Sequence, residues 1–177
     1  MALILNTFWI IQDSGWEGYI SFVTLFSSFL FSEYKIYSAS NISKADVELF
    51  HKLKEDIPYS AIDFIKNHSL QSPFDNTKLD PFFNFLVPWE NVHHMFLDKK
   101  LEKLKKELHK DIDAFTDLVN ENVYDTKQPG IYCIPKEWSY ENPTEYKIIC
   151  KKLSNAQDSV VDSYNKFITV SKRRLKL

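Results

Sequence analysis

Two long stretches of the C-terminal half repeat apolar residues at helical spacing, and this pattern constrains the fold more than any other. The first stretch covers residues 96–123 and the second covers residues 143–175. Their apolar seams consist of Leu97, Leu101, Leu104, Leu108, Ile112, Phe115 and Val119, and of Tyr146, Ile149, Leu153, Ala156, Val160, Tyr164, Phe167 and Val170. A seam with a period of about 3.6 residues lies on one face of an α-helix. The two stretches therefore predict long amphipathic helices that pair as an antiparallel hairpin.

A stretch without charge near the N-terminus sets a second constraint. Residues 14–33 read SGWEGYISFVTLFSSFLFSE, and no charged side chain occurs between Glu17 and Glu33. Phenylalanines form one stripe of the helical wheel, serines and a threonine form another, and the remaining sides are also apolar. A helix that is apolar on nearly every side is buried, either in protein or in lipid.

The length of this stretch favours a protein interior. Its uncharged residues, 18–32, span roughly 22 Å as a helix, whereas the core of a bilayer is about 30 Å thick and needs roughly 20 residues. Its Ser and Thr hydroxyls also suit protein better than lipid. We therefore expect a buried core helix, and insertion into a membrane or association with one is the alternative.

Shorter elements are predicted between these regions. Ser43 suits the N-cap of a helix that ends near Asp56 and is stopped by Pro58, and a second helix follows over residues 59–67. The segment 69–91 contains three prolines and predicts turns around short helices. Its aromatic side chains are expected to cover the core, namely Phe74, Phe82, Phe83, Phe85 and Trp89.

The connector of the predicted hairpin, residues 124–143, carries turn signals. Pro129-Gly130 predicts a turn, and residues 131–134 predict a short extended piece. Pro143 suits the first position of the last helix.

These elements predict an all-α fold. It is a helical bundle built on a long antiparallel C-terminal helix hairpin with a buried apolar N-terminal helix. We divide the chain into an apolar N-terminal segment, residues 1–36, as core helix or membrane anchor, and a helical domain, residues 37–177, with the hairpin 96–123/143–175. Only three glycines occur in 177 residues, and a doubly wound α/β enzyme uses more of them in its turns.

Charge and cysteine content narrow the function. The net charge of -2 gives no overall attraction to nucleic acid or to acidic lipid, so we do not expect nucleic acid as the partner. The two cysteines, Cys133 and Cys150, are too few for a disulfide scaffold and are expected to act as small hydrophobes. With no secretory signal pattern, we expect a cytoplasmic protein, and inner-membrane association with the helical domain in the cytoplasm is the alternative.

No motif predicts catalysis. His93 and His94 with Glu90 form the one cluster that suggests a metal, but adjacent histidines point about 100° apart on a helix. Zinc needs three or four converging ligands, so the sequence predicts no metal site. It has no glycine-rich phosphate loop either, and we expect no cofactor and no catalytic residue.

Two groups of basic residues remain. The group between Lys99 and Lys110 alternates with acidic residues and is typical of a solvated helix face. The group at the chain end is net basic, and it can contact phosphates or an acidic partner, or simply stabilise the helix C-terminus. The residues that we predict to bind a partner are Lys172, Arg173, Arg174, Trp89, His93, His94 and Trp138.

Several stretches resemble a known type of protein. The motifs are FLDKKLEKLKKEL (96–108), PKEW (135–138), LSNAQDSVVDSYNKFI (153–168) and SKRRL (171–175), with the opening WEG (16–18). Over roughly residues 50–175 the chain resembles small helical bacterial proteins with an apolar N-terminal segment and a C-terminal helical hairpin, which occur in defence or mobile-element contexts. The resemblance implies no catalytic residue, and it implies that the N-terminal segment can be transmembrane.

We expect a non-enzymatic interaction module that binds a protein partner or itself, as an accessory or sensor subunit of a bacterial, defence-type complex. A membrane-associated effector or sensor anchored by residues 1–36 is one alternative. A small helical hydrolase or nuclease is the other, and it requires Glu90, His93, His94 and Asp98 to converge in one pocket.

Overall fold

The structure is a computed structural model, and it describes residues 16–40 and 43–177. The chain divides into two compact units, Met1–Ile42 and Ser43–Leu177. The boundary that we predicted at residue 36 falls inside the first helix, which continues to Ser40. The apolar stretch 1–12 lies outside the described residues.

The described residues form seven α-helices and three very short strands. The helices are α1 (Trp16–Ser40), α2 (Lys44–Asp56), α3 (Tyr59–Asn67), α4 (Asp80–Trp89), α5 (Lys99–Asn122), α6 (Trp138–Glu141) and α7 (Pro143–Leu175). The strands are β1 (Phe74–Asp75), β2 (Tyr124–Asp125) and β3 (Ile131–Cys133), and 3-10 turns occur at Asn76–Lys78 and Val92–His94. The prediction of an all-α bundle is confirmed.

The helices α5 and α7 form the predicted antiparallel hairpin. Arg174 near the end of α7 meets Asp98 at the start of α5, and Lys166 meets Glu107 further along, so the two helices run in opposite directions. Every predicted seam residue of α5 is buried except Leu97, which is 67 % exposed. Asp98 is the N-cap of α5, so Leu97 precedes the helix and does not share its apolar face.

The predicted seam of α7 is buried in part. Leu153, Val160, Tyr164 and Phe167 are buried as predicted, whereas the other four predicted residues are only half-buried, namely Tyr146, Ile149, Ala156 and Val170. Four of its buried residues lie outside the predicted seam, namely Gln157, Val161, Ser171 and Leu175.

The short helices α2 and α3 have the predicted bounds. The Ser43 hydroxyl accepts the Asp46 amide and caps α2, and the next helix begins directly after Pro58. Of the five aromatic residues expected to cover the core, all but Phe83 are buried, and Phe83 is half-buried. These side chains occupy the space between the short helices and the hairpin.

Buried polar side chains of the hairpin bind the C-terminal carbonyls of all three short helices. Tyr164 donates from its hydroxyl to the carbonyl of Ile57, directly after α2, at 3.2 Å. Gln157 donates from Nε2 to the carbonyls of Ile65 and His68 at the end of α3, at 2.8 and 3.0 Å.

At the end of α4, Lys105 Nζ donates to the carbonyl of Trp89 at 3.1 Å, and His109 Nε2 lies 2.9 Å from the carbonyl of Leu86. The last carbonyls of a helix have no partner inside the helix, so these side chains replace the water that a closed core excludes.

The connector forms a small antiparallel sheet with strand order β1-β3-β2. The predicted Pro129-Gly130 turn is present, because the Ile131 amide donates to the Gln128 carbonyl at 3.1 Å and Gly130 adopts φ 77°. A positive φ at the third residue of such a turn favours glycine.

The predicted burial of the N-terminal helix is wrong. The α1 helix covers the charge-free stretch, but its large apolar side chains are exposed, for example Val23 at 60 % and Phe31 at 68 %. The physical reason is that the unit Ser43–Leu177 fills its core with its own residues. Seven phenylalanine and tryptophan side chains of this unit are fully buried, namely Phe50, Phe82, Phe85, Trp89, Phe96, Phe115 and Phe167.

The buried carboxylate of Asp46 offers a test of how the helix starts are joined. It accepts the amides of Leu97 and Asp98 at 2.7 and 3.0 Å. We expect Asp46→Ala to lower the free energy of unfolding by about 2–4 kcal/mol, because two amides lose a buried acceptor. The measurement is urea denaturation followed by circular dichroism. Glu48→Ala, on the exposed side of the same helix, should cost less than about 0.5 kcal/mol, and equal losses in the two variants would contradict the assignment.

The Gln157 amide offers a second test. We expect Gln157→Leu to lower the free energy of unfolding by about 1–3 kcal/mol, since the carbonyls of Ile65 and His68 lose their donor. Asn155→Leu, two residues earlier and exposed, is the matched control. The measurement is the thermal unfolding midpoint of both variants. A Gln157→Leu protein as stable as the control would show that these carbonyls have other hydrogen-bond donors.

Candidate functional site

Three segments of the chain meet at one end of the hairpin. The start of α2 is joined to the start of α5 by Asp46, as described above. The start of α5 is joined to the end of α7 by Asp98, which accepts Arg174 Nε at 2.6 Å. We call this surface the basic end, and we define it as residues 43–48, 96–106 and 171–177.

The basic end unites the two basic groups that are separate in the sequence. Its three segments contain ten Lys and Arg residues and four Asp and Glu residues, whereas the rest of the chain contains twelve and twenty. The predicted binding residues Lys172 and Arg173 are exposed here, beside Lys99, Lys100 and Lys103 of α5. The small net charge of the whole chain therefore conceals a strongly segregated distribution.

The acidic groups of the basic end are largely engaged. Glu102 lies 3.2 Å from Lys105 Nζ and 3.6 Å from Lys106 Nζ, and it also accepts the amide of Phe96. Asp98 accepts two amides of the first turn of α5. These carboxylates accept backbone amides at the start of α5, and most of the lysines around them are exposed.

The Asp98 carboxyl has a shifted pKa. Burial alone would raise this pKa, but hydrogen bonds from Arg174 and from the amides of Leu101 and Lys100 outweigh burial and hold it below its usual range. A charged partner and amide donors both favour the ionised carboxylate. Arg174, one of the predicted partner-binding residues, is therefore paired with Asp98, although its side chain is exposed.

Trp89 is not the surface residue that we predicted. It is 1 % exposed, its Nε1 donates to Asp56 Oδ2 at 2.8 Å, and its carbonyl accepts Lys105. The indole packs against Phe85 and Phe96, and its hydrogen bond reaches the end of α2. Its assignment as a partner-binding residue is wrong.

The neighbouring histidines do not form a site with it. The ring of His94 packs against Trp89 and its Nδ1 lies 2.7 Å from the carbonyl of Pro88. Two other predicted binding residues lie apart from Trp89. Trp138 of the connector is half-buried and packs against Tyr124, and His93 of the 3-10 turn is exposed.

The hydrolase or nuclease alternative receives no support from geometry. Across residues 16–40 and 43–177, no group of three or more His, Cys, Asp and Glu side chains could hold a metal ion. Asp98 is committed to helix capping and to Arg174, and His94 is committed to a carbonyl. A pocket in which these groups act together with Glu90 and His93 is not found in that part of the chain.

The cysteines remain thiols. Cys133 is buried and Cys150 is half-buried. Burial raises the pKa of the Cys150 thiol, and a hydrogen bond with Tyr146 offsets this only in part. A thiol with a raised pKa is a poor nucleophile at neutral pH.

Several depressions occur on the unit Ser43–Leu177, and two of them are lined by the polar side chains that bind helix ends. One, of about 590 Å³, lies beside the end of α4 and is lined by Lys105, Lys106 and His109 among others. The other, of about 270 Å³, lies at the end of α3 and contains Gln157. Lys105, His109 and Gln157 already bind carbonyls of the fold, so their polar atoms are not free for a ligand.

Sequence reasoning missed the buried Lys105, which we placed on a solvated face. Its spacing gave a signal, because Lys105 follows Leu101 by four residues and precedes Leu108 by three, and both leucines belong to the seam.

Comparisons with known proteins give no relative. A scan against protein-family models and searches of curated proteins and of solved structures found no match. The resemblance to small helical bacterial proteins therefore stays a prediction. Within the described ranges, none of the helices combines the length and the apolar character that crossing a bilayer requires.

The pair of Asp98 and Arg174 gives a pH-dependent prediction. Because the folded-state pKa of Asp98 is depressed, its stabilising effect is present above the unfolded-state pKa of about 3.9 and is lost as pH falls through the folded-state value. We expect Arg174→Gln to raise this pKa and to lower the free energy of unfolding at pH 7 by about 0.5–1 kcal/mol. The difference from wild type should vanish in acid.

Carboxyl NMR titration of Asp98 and denaturation at several pH values measure the two effects. Lys176→Gln, which removes one exposed charge from the same end, is the control. An unchanged Asp98 titration in the Arg174→Gln protein would contradict the role of the guanidinium.

Proposed function

We propose that this protein is a binding module whose docking element is α1 and whose folded scaffold is the unit Ser43–Leu177. The observation that carries the proposal is the exposure of the large apolar side chains along α1. They are Trp16, Tyr19, Ile20, Val23, Leu25, Phe26, Phe29, Leu30 and Phe31. A contiguous apolar surface of this kind marks an interaction site, since each such side chain gains about 1.5–3 kcal/mol on full burial.

The polar atoms of α1 support docking in a dry environment. Thr24 donates from its hydroxyl to the carbonyl of Ile20, and Ser28 donates to the carbonyl of Thr24, both at 2.8 Å. These hydroxyls satisfy their hydrogen bonds within the helix and do not need water. Burying them against a partner therefore costs less than burying a free hydroxyl.

We propose that a partner binds one face of α1, the face opposite its hydroxyl side chains. At 100° per residue, Tyr19, Val23, Phe26 and Leu30 fall within one stripe, and Ser21, Thr24, Ser28 and Ser32 fall on the opposite stripe, with further apolar side chains between them. A protein partner, either a different chain or a second copy, would bury the apolar stripe as in other helix-in-groove complexes. From the resemblance, we propose that such a module is an accessory or sensor subunit of a bacterial, defence-type complex.

Association with a membrane is the second candidate. It is favoured by the absence of charge over residues 18–32 and by the internally bonded hydroxyls. In lipid, both stripes of the helix would be surrounded by apolar chains, which distinguishes this candidate from a protein that covers one face.

Two matched double variants of the full chain test the proposal. We expect Val23→Glu/Leu30→Glu to abolish the complex that wild type forms, because two charges enter the buried stripe. Ser21→Glu/Ser32→Glu, with the same charges on the opposite stripe, should retain it. The measurements are the mass of the purified protein by light scattering and the proteins captured by it from its native host.

The outcomes separate the candidates. Loss of the complex in the first variant alone supports a protein docked on the apolar stripe. Equal release of both variants from the membrane fraction supports the lipid candidate. A monomeric wild-type protein that captures no partner and stays out of the membrane fraction would refute both.

A further inference from the structure

We propose that the basic end is a binding surface for an anionic lipid bilayer, which holds the unit Ser43–Leu177 at a membrane surface. This inference goes beyond the docking of α1, because it concerns a different surface and a different chemistry. It rests on charge, on the side chains that accompany the charge, and on the route of the chain.

The charge of the basic end is free to act on a partner. Lys99, Lys100, Lys103, Lys172 and Arg173 are exposed. Three of its four carboxylates form bonds within the protein, since Asp46 and Asp98 accept amides and Glu102 binds Lys105 and Lys106, and the fourth, Glu48, is exposed. Basic clusters of this size are attracted to the negative surface potential of anionic lipids.

The accompanying side chains favour lipid over nucleic acid. The basic end contains a single aromatic residue, Phe96, and it is 2 % exposed. No aromatic platform is therefore available here for stacking on unpaired bases. Two leucines are exposed instead, Leu97 at 67 % and Leu177 at 54 %, and aliphatic side chains between lysines suit the boundary of head groups and acyl chains.

When α1 associates with a membrane, which is its second candidate role, the route of the chain adds a second attachment. Ser43, the first residue of the basic end, follows Ser40, the last residue of α1, by three positions. An apolar helix is thus covalently joined to the end that carries the positive charge. Stable attachment to a bilayer surface generally takes two such signals, one apolar and one polybasic.

The acidic residues at the other end of the hairpin would orient the unit. Residues 107–145, which cover the later part of α5 and the connector, contain three Lys residues and nine Asp and Glu residues. An anionic surface attracts the basic end and repels this acidic end, so the long axis of the hairpin should stand away from the membrane.

The test is binding of the full chain to vesicles of phosphatidylcholine and to vesicles with about 30 % phosphatidylglycerol added. The readout is the ratio of the two affinities, because any contribution of α1 that is common to both vesicles cancels. We expect wild type to prefer the anionic vesicles strongly, and we expect the preference to fall as salt is raised.

Two triple variants with equal charge separate the basic end from net charge. For Lys100→Glu/Lys172→Glu/Arg173→Glu we expect the ratio to fall by about 100-fold or more, since each cation near an anionic surface contributes about a fivefold factor. Lys147→Glu/Lys151→Glu/Lys152→Glu changes exposed lysines in the first half of α7 and should retain most of the preference. Circular dichroism confirms that both variants are folded.

Two results would overturn the proposal. The first is a wild-type affinity ratio near one, and the second is an equal fall of this ratio in both triple variants. If the first result is accompanied by tight binding of a labelled RNA or DNA duplex that only the basic-end variant loses, the surface is assigned to nucleic acid. None of these results bears on the α1 variants, so the docking proposal succeeds or fails separately.

Discussion

The free carbonyls at the ends of α2, α3 and α4 are the constraint on which the arrangement of the unit Ser43–Leu177 depends. Each of these helices ends inside or at the edge of a closed apolar core, where a carbonyl without a donor is costly. The hairpin supplies the donors from Tyr164, Gln157 and Lys105. Packing of the apolar seams sets the approach of the helices, and a hydrogen bond at a helix end adds a directional constraint to that packing. The hairpin therefore acts as the template on which the short helices are placed.

The apolar patterns of the sequence predicted the helices well, because the periodicity of the seams reports directly which face each helix buries. These patterns did not predict which polar side chains are buried in the core. Lys105 and Gln157 look like surface residues when taken singly, and their burial depends on carbonyls that lie 16 and as many as 92 positions away in the chain. Such long-range pairing is invisible to a pattern that extends over a few turns.

The absence of long-range contacts from a local pattern also explains two wrong predictions, the exposure of Trp89 and the burial of α1. Trp89 became a core residue because Asp56, 33 positions earlier, accepts its indole N–H. The α1 helix was predicted as buried because an apolar helix needs cover, but the sequence does not state what provides that cover. The rest of the chain satisfied its own core, and α1 kept its exposed surface. Conversely, the basic end emerged only when the antiparallel order of α5 and α7 brought their charged ends together.

The link from Ser43 through Asp46 and Asp98 to Arg174 has a mechanical consequence. Any pull that α1 exerts on the folded unit enters at Ser43, whose hydroxyl caps α2. Asp46 passes this load to the start of α5, and Asp98 passes it to the end of α7. The load is thus shared by three helices within a few residues of where it enters, and several bonds must break together before α2 can peel away. A force applied to the folded unit through α1 would therefore be opposed by all three helices at this junction.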